Sequence, residues 1–259
     1  MKNFTYISIF AVTIIALIGF SSHDAHATPF TAVANGNWND PGTWGGAVPG
    51  PSDAVIIPNG FTVTIPSGLL VTVAPGGTIT NSGTININTS GAIGNLGIIT
   101  NSGTITLING GTLDNSGTVY NSGTITLNFG TIYNNSGGTI TNNSGGTINN
   151  NGGIVNEAGG NITNNGNITN NGNLTNYSTI TNNGTITNNA YIFNTDGTIN
   201  ENCGSTFTGN SVLGHAPINI PCPPSIPEFP IPFSLVIIFV AVAAVYMGIR
   251  QKMIPGFKI

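Results

Sequence analysis

A short phrase recurs about twenty times between Gly77 and Asn202, and a fixed period of this kind constrains the fold before any single residue does. It reads Gly-Thr-Ile-Thr-Asn-Ser at Gly77–Ser82 and Gly-Thr-Ile-Thr-Asn-Asn at Gly184–Asn189. One aliphatic residue marks each unit, running from Ile79, Ile85, Ile93 and Ile99 through to Ile186, Ile192 and Ile199. The step between them is six residues most often and otherwise seven or eight. A step of six is not a helical period, and the Gly, Asn, Thr and Ser that fill the gaps are poor helix formers.

Each unit is therefore read as a three-residue strand of the Thr-Ile-Thr type. Alternation along a strand sends the aliphatic residue to one face and both threonines to the other. The Asn-Ser-Gly or Asn-Asn-Gly that follows is turn chemistry, because Gly and Asn tolerate positive φ. One buried side chain cannot hold so short a strand, so the units must stack, coil on coil, into an aliphatic column. The expected fold is all-β: a single-stranded parallel β-solenoid, with roughly 18–20 residues per coil and about seven coils. The uneven seven- and eight-residue units favour a right-handed helix over the strict left-handed hexapeptide one. Asparagines at equivalent turn positions are expected to form hydrogen-bonded ladders.

Charge excludes whole classes of function. Charged residues make up 5% of the 259, and the four cations, Lys2, Arg250, Lys252 and Lys258, all lie at the two ends. A body without Lys or Arg has nothing to neutralise phosphates, so nucleic acid is excluded as a partner. Substrates held by an Arg clamp or a P-loop lysine are excluded on the same ground.

The ends carry an address. Residues 1–27 read as a signal peptide: Lys2, an apolar run from Ile7 to Phe20, then Ala25-His26-Ala27 as the site for signal peptidase, with Ala25 and Ala27 in the small-residue positions. A retained N-terminal anchor is the rival reading. Residues 211–230 form a Pro-rich stalk that can continue neither sheet nor helix. Residues 231–249 are apolar and long enough to span a bilayer as one C-terminal transmembrane helix. The basic tail, 250–259, stays on the cytoplasmic side, so the N-terminal body lies outside the cell membrane.

Residues 28–76 differ from the repeat and are read as an N-terminal cap of the solenoid, which occupies 77–210. Both tryptophans lie here, in Asn37-Trp38-Asn39-Asp40-Pro41-Gly42-Thr43-Trp44-Gly45-Gly46. Two strands follow around Pro58-Asn59-Gly60. A solenoid end exposes an open apolar column, and large aromatics are suitable plugs. Sugar stacking is the other use open to Trp38 and Trp44. Together with Asp53-Ala-Val-Ile-Ile and Phe61-Thr-Val-Thr-Ile, this segment resembles the glycine-rich module that starts many secreted β-helical adhesins.

Pro227-Glu228-Phe229, followed by an apolar helix and a basic end, resembles the PEF-type C-terminal sorting signal of archaeal surface proteins. That resemblance implies processing by an archaeosortase-type transpeptidase, with a cut near the motif and a lipid attached. The plain alternative is an uncleaved single-pass anchor. Cys203 and Cys222 in an exported chain are expected to pair. Two cysteines and His215 do not make a metal site, and no cofactor is expected.

Sequons occur at Asn88, Asn134, Asn142, Asn161, Asn167, Asn173, Asn176 and Asn183, each a candidate glycan acceptor in an exported protein. The carboxylates of the repeat are Asp114, Glu157, Asp196 and Glu201, read as solvated turn residues; Asp196 and Glu201 are the close pair that glycoside hydrolysis would need. The leading expectation is a non-enzymatic, glycosylated surface protein with a structural or adhesive role toward surface glycans or neighbouring cells. Ice binding through Thr-x-Thr strands (Thr78/Thr80, Thr104/Thr106, Thr124/Thr126, Thr139/Thr141, Thr179/Thr181, Thr185/Thr187) and a carbohydrate-active β-helix enzyme are the alternatives.

Overall fold

The computed structural model describes residues 29–224 together with Val242 and Tyr246. Two compact units divide between Cys222 and Pro223, and every strand lies in the first. The signal segment 1–27, the Pro227-Glu228-Phe229 motif and the 250–259 tail lie outside the described residues, as does the 231–249 helix apart from Val242 and Tyr246. No helix among the described residues is long and apolar enough to cross a membrane.

The chain winds through three parallel sheets, and each strand hydrogen-bonds to the strand one coil away rather than to its neighbour in sequence. We call the sheets faces A, B and C, in the order the chain visits them. They hold ten, nine and eight strands. The first complete coil is Ala54–Ile57 on A, Thr62–Ile65 on B and Leu70–Val73 on C; the eighth is Thr198–Glu201, Thr206–Gly209 and Leu213–Gly214. Eight coils at about 4.8 Å each give a body about 40 Å long.

The register explains the uneven period. Ile79 pairs with Ile99, Ile99 with Val119, Val119 with Ile140 and Ile140 with Ile162, so corners absorb the extra residues and the knobs stay aligned. The aliphatic columns are buried from Val55 to Ile199. Each such side chain contributes about 1.5–3 kcal/mol of burial.

Two readings from sequence need correction. The strands are four residues long, not three: Thr-Ile-Thr-Asn is the unit, and its fourth residue faces inward. Coil stacking also begins earlier than Gly77. Residues 54–73, assigned above to the cap, pair in register with Thr78–Asn81, Thr84–Ile87 and Ala92–Asn95 as a full coil. The two strands expected around Pro58-Asn59-Gly60 are present as Ala54–Ile57 and Thr62–Ile65; they lie on different faces, so that turn is a corner between sheets.

Ahead of the first coil, Pro29–Thr31 joins face A and Gly36–Asn37 joins face B, followed by a short 3-10 turn at Pro41–Trp44. The Asp40 side chain accepts from the Gly42 amide and Gly45 closes the turn at φ 80°. Trp38 and Trp44 are buried, edge to face at 5.0 Å, and the Trp44 indole donates to the Trp38 carbonyl. At the other end Cys203 and Cys222 form a disulfide.

Candidate functional site

The fourth strand position holds the main departure from the sequence reading. On face A, Asn81, Asn101, Asn121, Asn142, Asn164 and Asn182 are fully buried, and each Nδ2 donates to the side chain one coil on, at 2.7–2.8 Å. Face C carries a second ladder from Asn95 to Asn194. Face B holds Ile65, Ile87, Leu107 and Leu127 in its first coils and then changes to Asn150, Asn170 and Asn188. Asparagines outside the barrel, such as Asn151, Asn171 and Asn189, form further ladders at the corners.

The buried ladders have a direction, with every donor pointing toward the C-terminus. Their first members, Asn81 and Asn95, leave Oδ1 without a partner. The face A ladder ends on Glu201, whose Oε2 accepts from Asn182 Nδ2 at 2.7 Å and from Ser205 Oγ at 2.8 Å. Glu201 is therefore an inward, buried terminator of a donor chain, which overturns its reading as a solvated turn residue. Asp196 is exposed in the turn before the same strand, so the two are not brought together as an acid pair. Asp114 lies on the outer side of its strand on face C, between Gly94 and Tyr133, and burial pushes its carboxyl above the ordinary aspartate value. Glu157 is half-buried just past the strand Gly153–Asn156. Among the described residues, no group of three or more His, Cys, Asp or Glu is placed to hold a metal ion.

The sequons separate by position in the coil. Asn134, Asn142 and Asn176 are ladder members with no exposed surface and amides engaged at both ends, so in the folded chain they are closed to modification. Asn88 is half-buried. Asn161, Asn167, Asn173 and Asn183 are exposed. The first three each open a strand of one coil, on faces A, B and C respectively. That coil presents a sequon on all three sides.

The outer faces differ from one another. Face B is hydroxyl and amide apart from Ile108. Face C carries Tyr133, Val155 and the stacked pair Tyr191–Phe193, with ring centroids 6.0 Å apart. A furrow of about 680 Å³ runs along the corner between faces A and B, with Gly83, Gly103 and Gly123 in its floor. These glycines are required by stacking: a Cβ at Gly103 would lie 2.1 Å from the Gly83 carbonyl oxygen.

No family model and no curated protein matches the chain. Among solved structures, a TibC-catalysed hyper-glycosylated TibA fragment is 16% identical, with a TM-score of 0.20, covering 76% of this chain and 96% of that one. The solenoid assignment rests on this chain's own strand pairing.

Proposed function

We propose that this chain is a non-enzymatic cell-surface protein: a glycosylated β-solenoid held at the outer face of the membrane by its C-terminal segment, with a structural or adhesive role. The observation that carries the reading is the coil bearing Asn161, Asn167 and Asn173, which offers an exposed acceptor on each of three sides. The rest of the surface supports it. A wall of Thr, Ser and Asn needs no counter-charge, and the body between the two ends has no cation to recruit a phosphate or nucleic acid. The buried ladders favour a stiff body, which suits a module that projects from a surface.

Export, anchoring at 231–249 and processing at Pro227-Glu228-Phe229 belong to this proposal, with signal peptidase and an archaeosortase-type transpeptidase as the processing partners. The test is the mass of the protein taken from native membranes, with peptide mapping of its glycans. A mass for residues 28–259 plus glycan fits an uncleaved anchor. A mass ending near Phe229 with a lipid-sized addition fits sorting. Glycan is expected on Asn161, Asn167, Asn173 and Asn183 and absent from Asn134, Asn142 and Asn176. An unprocessed, unglycosylated chain recovered from the cytosol would sink the reading.

A further inference from the structure

The three outer faces are built from the same repeat yet do not carry the same residues. In the five strands from Thr62–Ile65 to Thr147–Asn150, face B has twelve outward positions: eight Thr, Asn86, Asn128 and Asn149, and Ile108 at the end of its strand. Over the same coils face A is interrupted by Ile56, Ile98 and Tyr120, and face C by Gly94, Asp114 and Tyr133. The six Thr-x-Thr strands picked out by sequence split evenly between faces A and B. Only the fold shows that face B is the least interrupted one, because its remaining threonines stand in other contexts.

Three properties of this face point to one kind of partner. Its hydroxyls form a grid, with about 4.8 Å between strands and about 6.6 Å between alternate residues along a strand. Among the described residues, no protein atom hydrogen-bonds to a face B Thr hydroxyl on these five coils, and all eight threonines keep part of their surface accessible. The face also has no charge and no aromatic ring. A polysaccharide surface is usually gripped by stacked aromatic rings, and in this chain those stand on the other faces. A neutral, regular grid of hydroxyls and methyls fits a neutral solid made of water. The repeat along each column is close to the second-neighbour oxygen spacing of hexagonal ice.

We propose that face B between Thr62 and Asn149 is an ice-binding surface. The hydroxyls anchor a layer of ordered water in register with the lattice, while the threonine methyls fill the gaps between anchored waters. Asn167, on the next strand of the same face, pairs with Thr147, so a glycan there borders the grid at its C-terminal edge. The inference is independent of membrane display and would survive its failure.

The experiment uses the full chain, fluorescently tagged and purified, with detergent-matched buffer as blank. The wild type is expected to slow ice recrystallisation at micromolar concentration and to concentrate in a growing ice front. Thr106→Lys with Thr126→Lys is expected to reduce both effects at least tenfold. Thr80→Lys, on face A of the same half, should leave them unchanged, with matched circular-dichroism melts throughout. Should the double lysine variant fail to fold, Thr124→Tyr gives the same reading, since Tyr120 and Tyr133 show that outward positions accept this ring. A wild type indistinguishable from buffer overturns the proposal. So does equal loss in Thr80→Lys, and so does retention on crystalline cellulose or chitin without any effect on ice.

Discussion

Asn142 buries a carboxamide completely and keeps it satisfied at both ends. Its Oδ1 accepts from Asn121, and its Nδ2 donates to Asn164 Oδ1 and reaches the carbonyls of Gly146 and Asn167. Removing it leaves the buried Asn164 Oδ1 without a donor, at about 1–3 kcal/mol for an unsatisfied group, takes one of three acceptors from Asn121 Nδ2, which keeps the Gly123 and Thr147 carbonyls, and leaves a small cavity. Asn142→Ala is therefore expected to lower stability by about 3–5 kcal/mol. Asn143→Ala removes a neighbour whose contact, to Ser122 Oγ at 2.9 Å, is exposed, and should shift stability by less than about 0.5 kcal/mol. Chemical denaturation of both variants checks the contrast. Equal effects would mean that the ladder adds nothing beyond ordinary turn contacts. This residue also shows where sequence reasoning stopped. Locally Asn-Asn-Ser is turn chemistry, and nothing within six residues says that the first Asn faces inward. The partners that make burial tolerable stand 21 and 22 residues away. The same non-locality hid three closed sequons among eight, and hid the terminal role of Glu201.

At the scale of the element, what was legible was the strand and its outward threonines, because a period of two is a property of the strand alone. The face a strand joins was not legible, because corner lengths vary and only the stacked register assigns it. That is why the hydroxyl grid of face B could not be separated from the mixed faces. The start of stacking was missed for a related reason: Val55, Val63 and Val71 occupy the column without the Gly-Thr-Ile-Thr phrase. The last coil poses the opposite problem. Thr206–Gly209 and Leu213–Gly214 end their sheets with no strand beyond them, and their outer sides are exposed. The Cys203–Cys222 bridge closes a segment 19 residues apart over this edge. Cys203→Ser with Cys222→Ser is expected to weaken that coil by about 3 kcal/mol, because the loop regains its entropy when open. Since each coil contacts only its neighbours, the loss should stay local. Hydrogen exchange should rise at residues 204–220 and remain unchanged at 84–134. Uniformly raised exchange would show instead that the bridge stabilises the solenoid as one cooperative unit.

At the scale of the whole molecule, stability comes from columns and ladders and owes almost nothing to ion pairs, because the body between Lys2 and Arg250 has no Lys or Arg. Exposed charge pairs are the part of a protein's stability that salt screens. Raising sodium chloride from about 0.02 to 0.3 M should therefore leave the melting temperature essentially unchanged. The dependence on pH should be small and should run in an unusual direction. Burial raises the Asp114 carboxyl above its ordinary value of 3.8, so the folded chain holds that proton more tightly than the unfolded chain does. The folded state then binds more protons between 3.8 and the raised value, and stability falls as pH rises through that window. The contribution is fully present below 3.8 and is lost above the folded-state value. Most proteins do the reverse, because their paired carboxylates favour the ionised form. Asp114→Asn keeps the shape and deletes the titration. Thermal melts from pH 3 to 8 should show the variant gaining on the wild type as pH rises, with the two converging at the acid end. A wild type that gains stability relative to Asp114→Asn toward neutral pH would mean that this carboxylate is held by a favourable partner rather than penalised by burial.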